Sequence, residues 1–154
     1  MKVFNLYSGE LDDPRDRESW RVKATRVGEN IGGELIGAGM YEVEPGNKLW
    51  PYHAHHANEE WLLVVRGQPT LRTPEGERQL DEGDVVCFPR GEAGAHQVRN
   101  GTESAVRVLM LSTLIAPDVV EYLDTGKVGA RSVTGDLIMF DRPGPALDYW
   151  EGEE

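Results

Sequence analysis

Residues Trp50 to Gly67 read WPYHAHHANEEWLLVVRG. The stretch holds three of the four histidines of the chain, then two adjacent glutamates, then an apolar run closed by a glycine. The run EEWLLVVRG is too short and too rich in β-branched and aromatic residues for a helix, and it reads as a strand. On an extended chain alternate residues share a face, so His53 and His55 point one way and His56 the other. Glu60, Leu62 and Val64 share one face of the following strand, and Glu59, Trp61, Leu63 and Val65 the other. Both faces are equally apolar, so alternation leaves the choice between Glu59 and Glu60 open.

Outward from this stretch the same texture continues. WRVKATRVG, GELIGAGMYEVE, QPTLRTP, ERQL, DVVCFP, AHQVRN and AVRVLMLSTL are short apolar or alternating runs. Between them lie EPGNK, PEGE, DEGD, PRGEAG and NGTES, which carry the glycine, proline, asparagine and aspartate of tight turns. Many short strands at this spacing predict an all-β sandwich or barrel. GENIGGELIGAG reads as turns between strands, and APDVVEYL as a helical turn or two. Residues 1–17 read as an N-terminal arm, 18–115 as the barrel, and 116–154 as a short C-terminal extension of one domain. Tyr149 and Trp150, in PALDYWEGEE, are expected to dock on the barrel or on a partner chain.

The chain has 154 residues, enough for one domain with a sizeable core. Its net charge of −11 repels nucleic-acid backbones and anionic membrane surfaces, so neither partner is expected. One cysteine, Cys87, rules out an internal disulfide and is expected to be a buried thiol. The N-terminal residues turn acidic before any signal-peptide core develops, and no run is long enough to span a bilayer as a helix. The cytoplasm is the expected location.

Histidines in a turn are often merely solvated. Here two share a face, and a fourth, His96, stands in a separate strand segment after a FPRG turn. Imidazole is the commonest metal ligand, and first-row divalent ions accept several imidazoles with a carboxylate. A metal site is therefore expected. HAHHANEEWLLVVRG resembles the first motif of the cupin family: His-x-His, a short spacer, Glu, six residues, Gly. GDVVCFPRGEAGAHQVRN resembles the second: Gly, five residues, Pro-x-Gly, a spacer, His, three residues, Asn. Carried over position by position, the resemblance implies His53, His55, Glu60 and His96 as ligands. Six residues separate Glu60 from Gly67 and seven separate Glu59, so the motif selects Glu60. Two departures stand out: an extra residue between Gly46 and His53, and four residues, EAGA, where the second motif has two.

The resemblance implies a cupin jelly-roll barrel, a double-stranded β-helix, and a homodimer. It is most similar to small single-domain bacterial cupins, some of which carry the provisional label of sugar-phosphate isomerase. Three imidazoles and a carboxylate leave a divalent ion positively charged with open positions, which suits oxygenase, isomerase or lyase chemistry on a small polar organic ligand. Zinc, manganese, iron, nickel and copper all accept this donor set. Trp50, Tyr52, Phe88 and Arg99 flank the ligand segments and are the candidate substrate-pocket residues. A phosphate-bearing substrate would need a cation at the pocket, for which Arg90 and Arg99, then Arg66 and Arg72, are the candidates; the plainer reading makes them surface charges balancing the acidic field. No catalytic base is assigned, since Glu59 and His56 face away. A non-catalytic binder or sensor is therefore the rival reading, and an assembly module a third.

Overall fold

A computed structural model describes residues 1–141 and 148–153. Thirteen strands dominate them: β1 (Asp13–Arg15), β2 (Val22–Thr25), β3 (Ile36–Val43), β4 (His53–His55), β5 (Glu60–Arg66), β6 (Thr70–Thr73), β7 (Gly76–Gln79), β8 (Val85–Phe88), β9 (Gln97–Arg99), β10 (Val106–Thr113), β11 (Asp118–Tyr122), β12 (Lys127–Arg131) and β13 (Leu137–Phe140). All pairings are antiparallel. One sheet runs β1-β2-β3-β10-β5-β8. The second is assembled from two pieces, β13-β12-β11-β4 and β7-β6-β9. A bridge between His53 and His96 joins them, with His96 N–H donating to His53 O at 2.9 Å. The result is the jelly-roll barrel expected from the sequence.

Between the sheets lies a core of Val22, Val43, Leu49, Leu62, Val64, Leu71, Leu80, Phe88, Val98, Val106, Val108 and Met110. The back of the first sheet is covered as well. Phe4, Leu6 and Leu11 of the arm pack on Val27, Met40, Val65 and Leu109. Arg107 ties the arm down by donating to Leu6 O at 2.8 Å and Gly9 O at 2.6 Å. This is why both faces of β5 are apolar: the inner face fills the barrel and part of the outer face lies under the arm. β5 is followed by Gly67, whose φ of +81° favours a residue without a side chain.

Several expectations are corrected. APDVVEYL is not helical; it supplies β11, which pairs with both β4 and β12. The segment after residue 115 therefore completes the sheet that carries His53 and His55. GENIGG is more than turns: Val27–Ile31 forms a short helix, α1, ended by Gly32 at φ +93°. Cys87 is exposed, because β8 alternation turns Phe88 inward and sends Cys87 out. Tyr149 and Trp150 are 82% and 71% exposed and pack edge-on against each other rather than on the barrel. Pro145, Ala146, Leu147 and Glu154 of the same tail lie outside the described residues. Among the described residues no helix is long and apolar enough to cross a membrane.

Candidate metal centre

β4 delivers His53 and His55 to the barrel interior, β5 opens with Glu60, and His96 sits just before β9. The four side chains meet. Glu60 Oε2 lies 3.3 Å from His96 Nε2, 3.6 Å from His55 Nε2 and 3.8 Å from His53 Nε2. Ligand atoms of His53, Glu60 and His96 all fall within 4.8 Å of one another; His55 stands at the edge of that group. His56 lies outside, with Nε2 3.6 Å from Glu121 Oε2. Glu59 is exposed and accepts from Trp61 Nε1 at 2.8 Å.

Each interior ring is held by its far nitrogen. His53 Nδ1 faces Pro51 O at 2.8 Å, His96 Nδ1 faces Gly94 O at 2.9 Å, and His55 Nδ1 faces Asp118 Oδ2 at 2.6 Å. Carbonyl and carboxylate oxygens only accept, so Nδ1 carries a proton in each ring, and Nε2 is the atom whose lone pair a neutral ring presents. Three Nε2 atoms therefore point at a carboxylate oxygen. Glu60 Oε2 and His96 Nε2 are buried without a hydrogen-bond partner. Acceptors facing one another in a buried space repel unless a cation lies between them. Atoms bound at about 2.1 Å to one ion stand roughly 3.0–3.5 Å apart, close to the spacing here. The donor set fits a divalent metal.

Electrostatics agree with this arrangement. Burial, then the neighbouring His96 imidazole, lowers His53 to about 4, so the His53 ring is neutral at pH 7. Burial raises the Glu60 carboxyl, but the neighbouring imidazoles, His96 first, more than offset it and hold it below the ordinary carboxylate range. Asp118, 2% exposed, is likewise held low despite burial, by His55 and the Ala57 N–H. Phe88 stacks on the back of His96 with centroids 3.7 Å apart.

A cavity of about 230 Å³ opens onto the cluster, walled by Tyr41, Trp50, Met110, Tyr122, Arg131 and Leu137 among others. Of the four pocket residues expected from the sequence, Trp50 is in this wall. Tyr52 packs with Ala54 and Ala95. Phe88 is core, behind His96. Arg99 turns to Glu77. These three do not line the cavity. Asp118, Arg131 and Tyr122 were missed because all lie in or beyond the segment read as helical. Val119, Val120 and Tyr122, followed by the DTGK turn, were the strand signal available there.

A two-sheet barrel holding imidazoles and a carboxylate inside one end defines a class of small β-barrels with a candidate metal site. Residues 39–112 match the cupin domain, and the fold is the cupin jelly roll. Two solved structures are similar over most of their length. A proposed sugar phosphate isomerase of Acidithiobacillus ferrooxidans is 27% identical with a TM-score of 0.76, covering 84% of this chain and 83% of its own. A sugar phosphate isomerase of the cupin superfamily from Silicibacter pomeroyi is 25% identical with a TM-score of 0.75, covering 83% and 81%. A cupin-like protein of Thermotoga maritima, 22% identical with a TM-score of 0.58 over 71% and 84%, shares the fold. No curated protein matches the sequence.

Proposed function

We propose that this chain is a metal-dependent enzyme acting on a small polar organic substrate. His53, His55, Glu60 and His96 hold a divalent transition metal: zinc, manganese, iron, nickel or copper. The observation that carries the reading is the convergence of three Nε2 atoms on the unpartnered Glu60 Oε2. When bound, the ion supplies Lewis-acid polarisation of a substrate oxygen. Pro51, Gly94 and Asp118 fix the rings so that no rotation is needed to meet it. The apolar and aromatic walls exclude water from one side of the substrate. Among oxygenase, isomerase and lyase chemistry, the two relatives described as sugar phosphate isomerases favour isomerisation. Elemental analysis, followed by turnover assays on small sugar phosphates with and without the metal, tests this; a metal-free chain with full turnover would sink it.

A second reading, a non-catalytic small-molecule binder or sensor, is favoured by the residues around the cluster. Burial raises the hydroxyls of Tyr41 and Tyr122, which makes both poor bases at neutral pH. Tight binding without turnover would select it.

The same reading includes a homodimer. β13 is an edge strand whose residues Leu137, Ile138, Met139 and Phe140 are 45%, 57%, 43% and 50% exposed. An apolar edge of this kind is a template for pairing with a second copy. Sedimentation of Ile138→Lys tests it: a dimer that persists unchanged removes β13 from the interface.

A further inference from the structure

We propose that Arg131 is the anion anchor of the cavity, and that the ligand of this site carries a phosphate or carboxylate group. The inference rests on the metal-centre reading for what meets the other end of the ligand. Arg131 ends β12 directly opposite Asp118 in β11. Cross-strand partners project to the same face of a sheet. Asp118 turns inward to hold His55, so Arg131 is sent into the same space. It lines both the cavity at His53, His55 and Glu60 and the larger recess, about 470 Å³, that continues past Gly37 and Gly39.

The carboxylate opposite Arg131 in the strand register is already engaged. Asp118 Oδ2 accepts from His55 and Oδ1 from the Ala57 N–H at 2.9 Å. Arg131 Nη1 meets Gly135 O at 3.5 Å, the outer limit of a hydrogen bond. Arg26, in the wall of the larger recess, pairs with Glu29; Arg72 pairs with Asp124 and Arg99 with Glu77. Among the described residues Arg131 has no ion pair, in a chain whose net charge is −11. Its planar fork of N–H donors is left for a ligand, and that fork matches phosphate and carboxylate oxygens two at a time. An anion entering beside Glu60 in so acidic a protein needs such a cation.

The test is calorimetric titration of the full chain, zinc-loaded and metal-stripped, with inorganic phosphate and separately with glycolate. Arg131→Gln is expected to weaken anion binding about tenfold or more, with zinc stoichiometry unchanged, while Arg99→Gln leaves it intact. A larger loss for phosphate assigns a phosphate ester, and a larger loss for glycolate a carboxylate. Equal binding by Arg131→Gln and the wild type overturns the proposal, as does failure of both anions to bind the wild type at millimolar concentration. If the wild type takes up no zinc, the metal-centre reading fails, yet Arg131-dependent binding to the metal-stripped chain still supports the anchor.

Discussion

Asp118 Oδ2 lies 2.6 Å from His55 Nδ1, although 63 positions separate the two residues in the chain. This contact aims His55 Nε2 at Glu60 and keeps the proton on the far nitrogen. Partners of this kind typically change metal affinity 10–100-fold. Asp118→Asn should weaken zinc binding by about that factor, measured by chelator competition. It retains an oxygen for the Ala57 N–H, so the melting temperature should move little. Unchanged zinc affinity would show that the carboxylate does not tune the site.

Glu60→Gln and His96→Ala should each lower zinc affinity by about 100-fold or more, since a ligand must present a lone pair or charge. Glu59→Gln and His56→Ala, whose side chains lie outside the cluster, should bind zinc as the wild type does. A reversed pattern for the two glutamates would mean that β5 turns Glu59, not Glu60, into the barrel. Zinc per chain by elemental analysis decides it.

His53 gives the metal-stripped protein a pH dependence of definite sign. The unfolded ring takes up its proton near 6.5, the folded ring only near 4, because of burial and the neighbouring His96 imidazole. Between these values the unfolded state binds more protons, so stability falls as pH drops from 6.5 towards 4. The loss from this group is at most about 3 kcal/mol. Melting curves at neutral pH and near pH 5 should show the drop, and His53→Gln should lack part of it. Identical slopes in both proteins would contradict the assignment. Metal affinity should fall in the same direction, because protons compete for Nε2.

Gly94 is a structural constraint on the same centre. A Cβ at this position would collide with the backbone oxygen of Pro89, and backbone cannot swing away as a side chain end can. Its carbonyl also holds His96 Nδ1. Gly94→Ala should cost about 1–3 kcal/mol in denaturant unfolding. Zinc affinity should fall with it as the loop shifts and releases His96. Full stability with weakened zinc binding would place the effect on the ring alone.

The cluster was legible because its residues lie in two local motifs, each set by a strand and a glycine turn. His53 and His55 share a face by alternation, and Gly67 indexes Glu60. The long EAGA spacer did not hide His96; it forms the 3-10 turn Glu92–Gly94 that supplies the carbonyl for it. What was not legible depends on pairing across the chain. β11 is flanked by β4 and β12, and the β-branched pair Val119–Val120 in APDVVEYL is a weak local signal of the strand beside that pairing. Asp118 and Arg131 gain their roles from that register. The apolar outer face of β5 was likewise unreadable without the arm that covers it, since a strand cannot report what packs on its back.

The place of β11 also orders events during synthesis. By the time His96 has left the ribosome, every member of the cluster has emerged, but the aspartate that aims His55 has not. A zinc ion offered then meets a ring free to present either nitrogen. Zinc uptake by ribosome-bound chains of increasing length should therefore step up only when β11 clears the exit tunnel and docks beside β4. On that outcome, the centre is completed by its last strands, not by the appearance of its histidines.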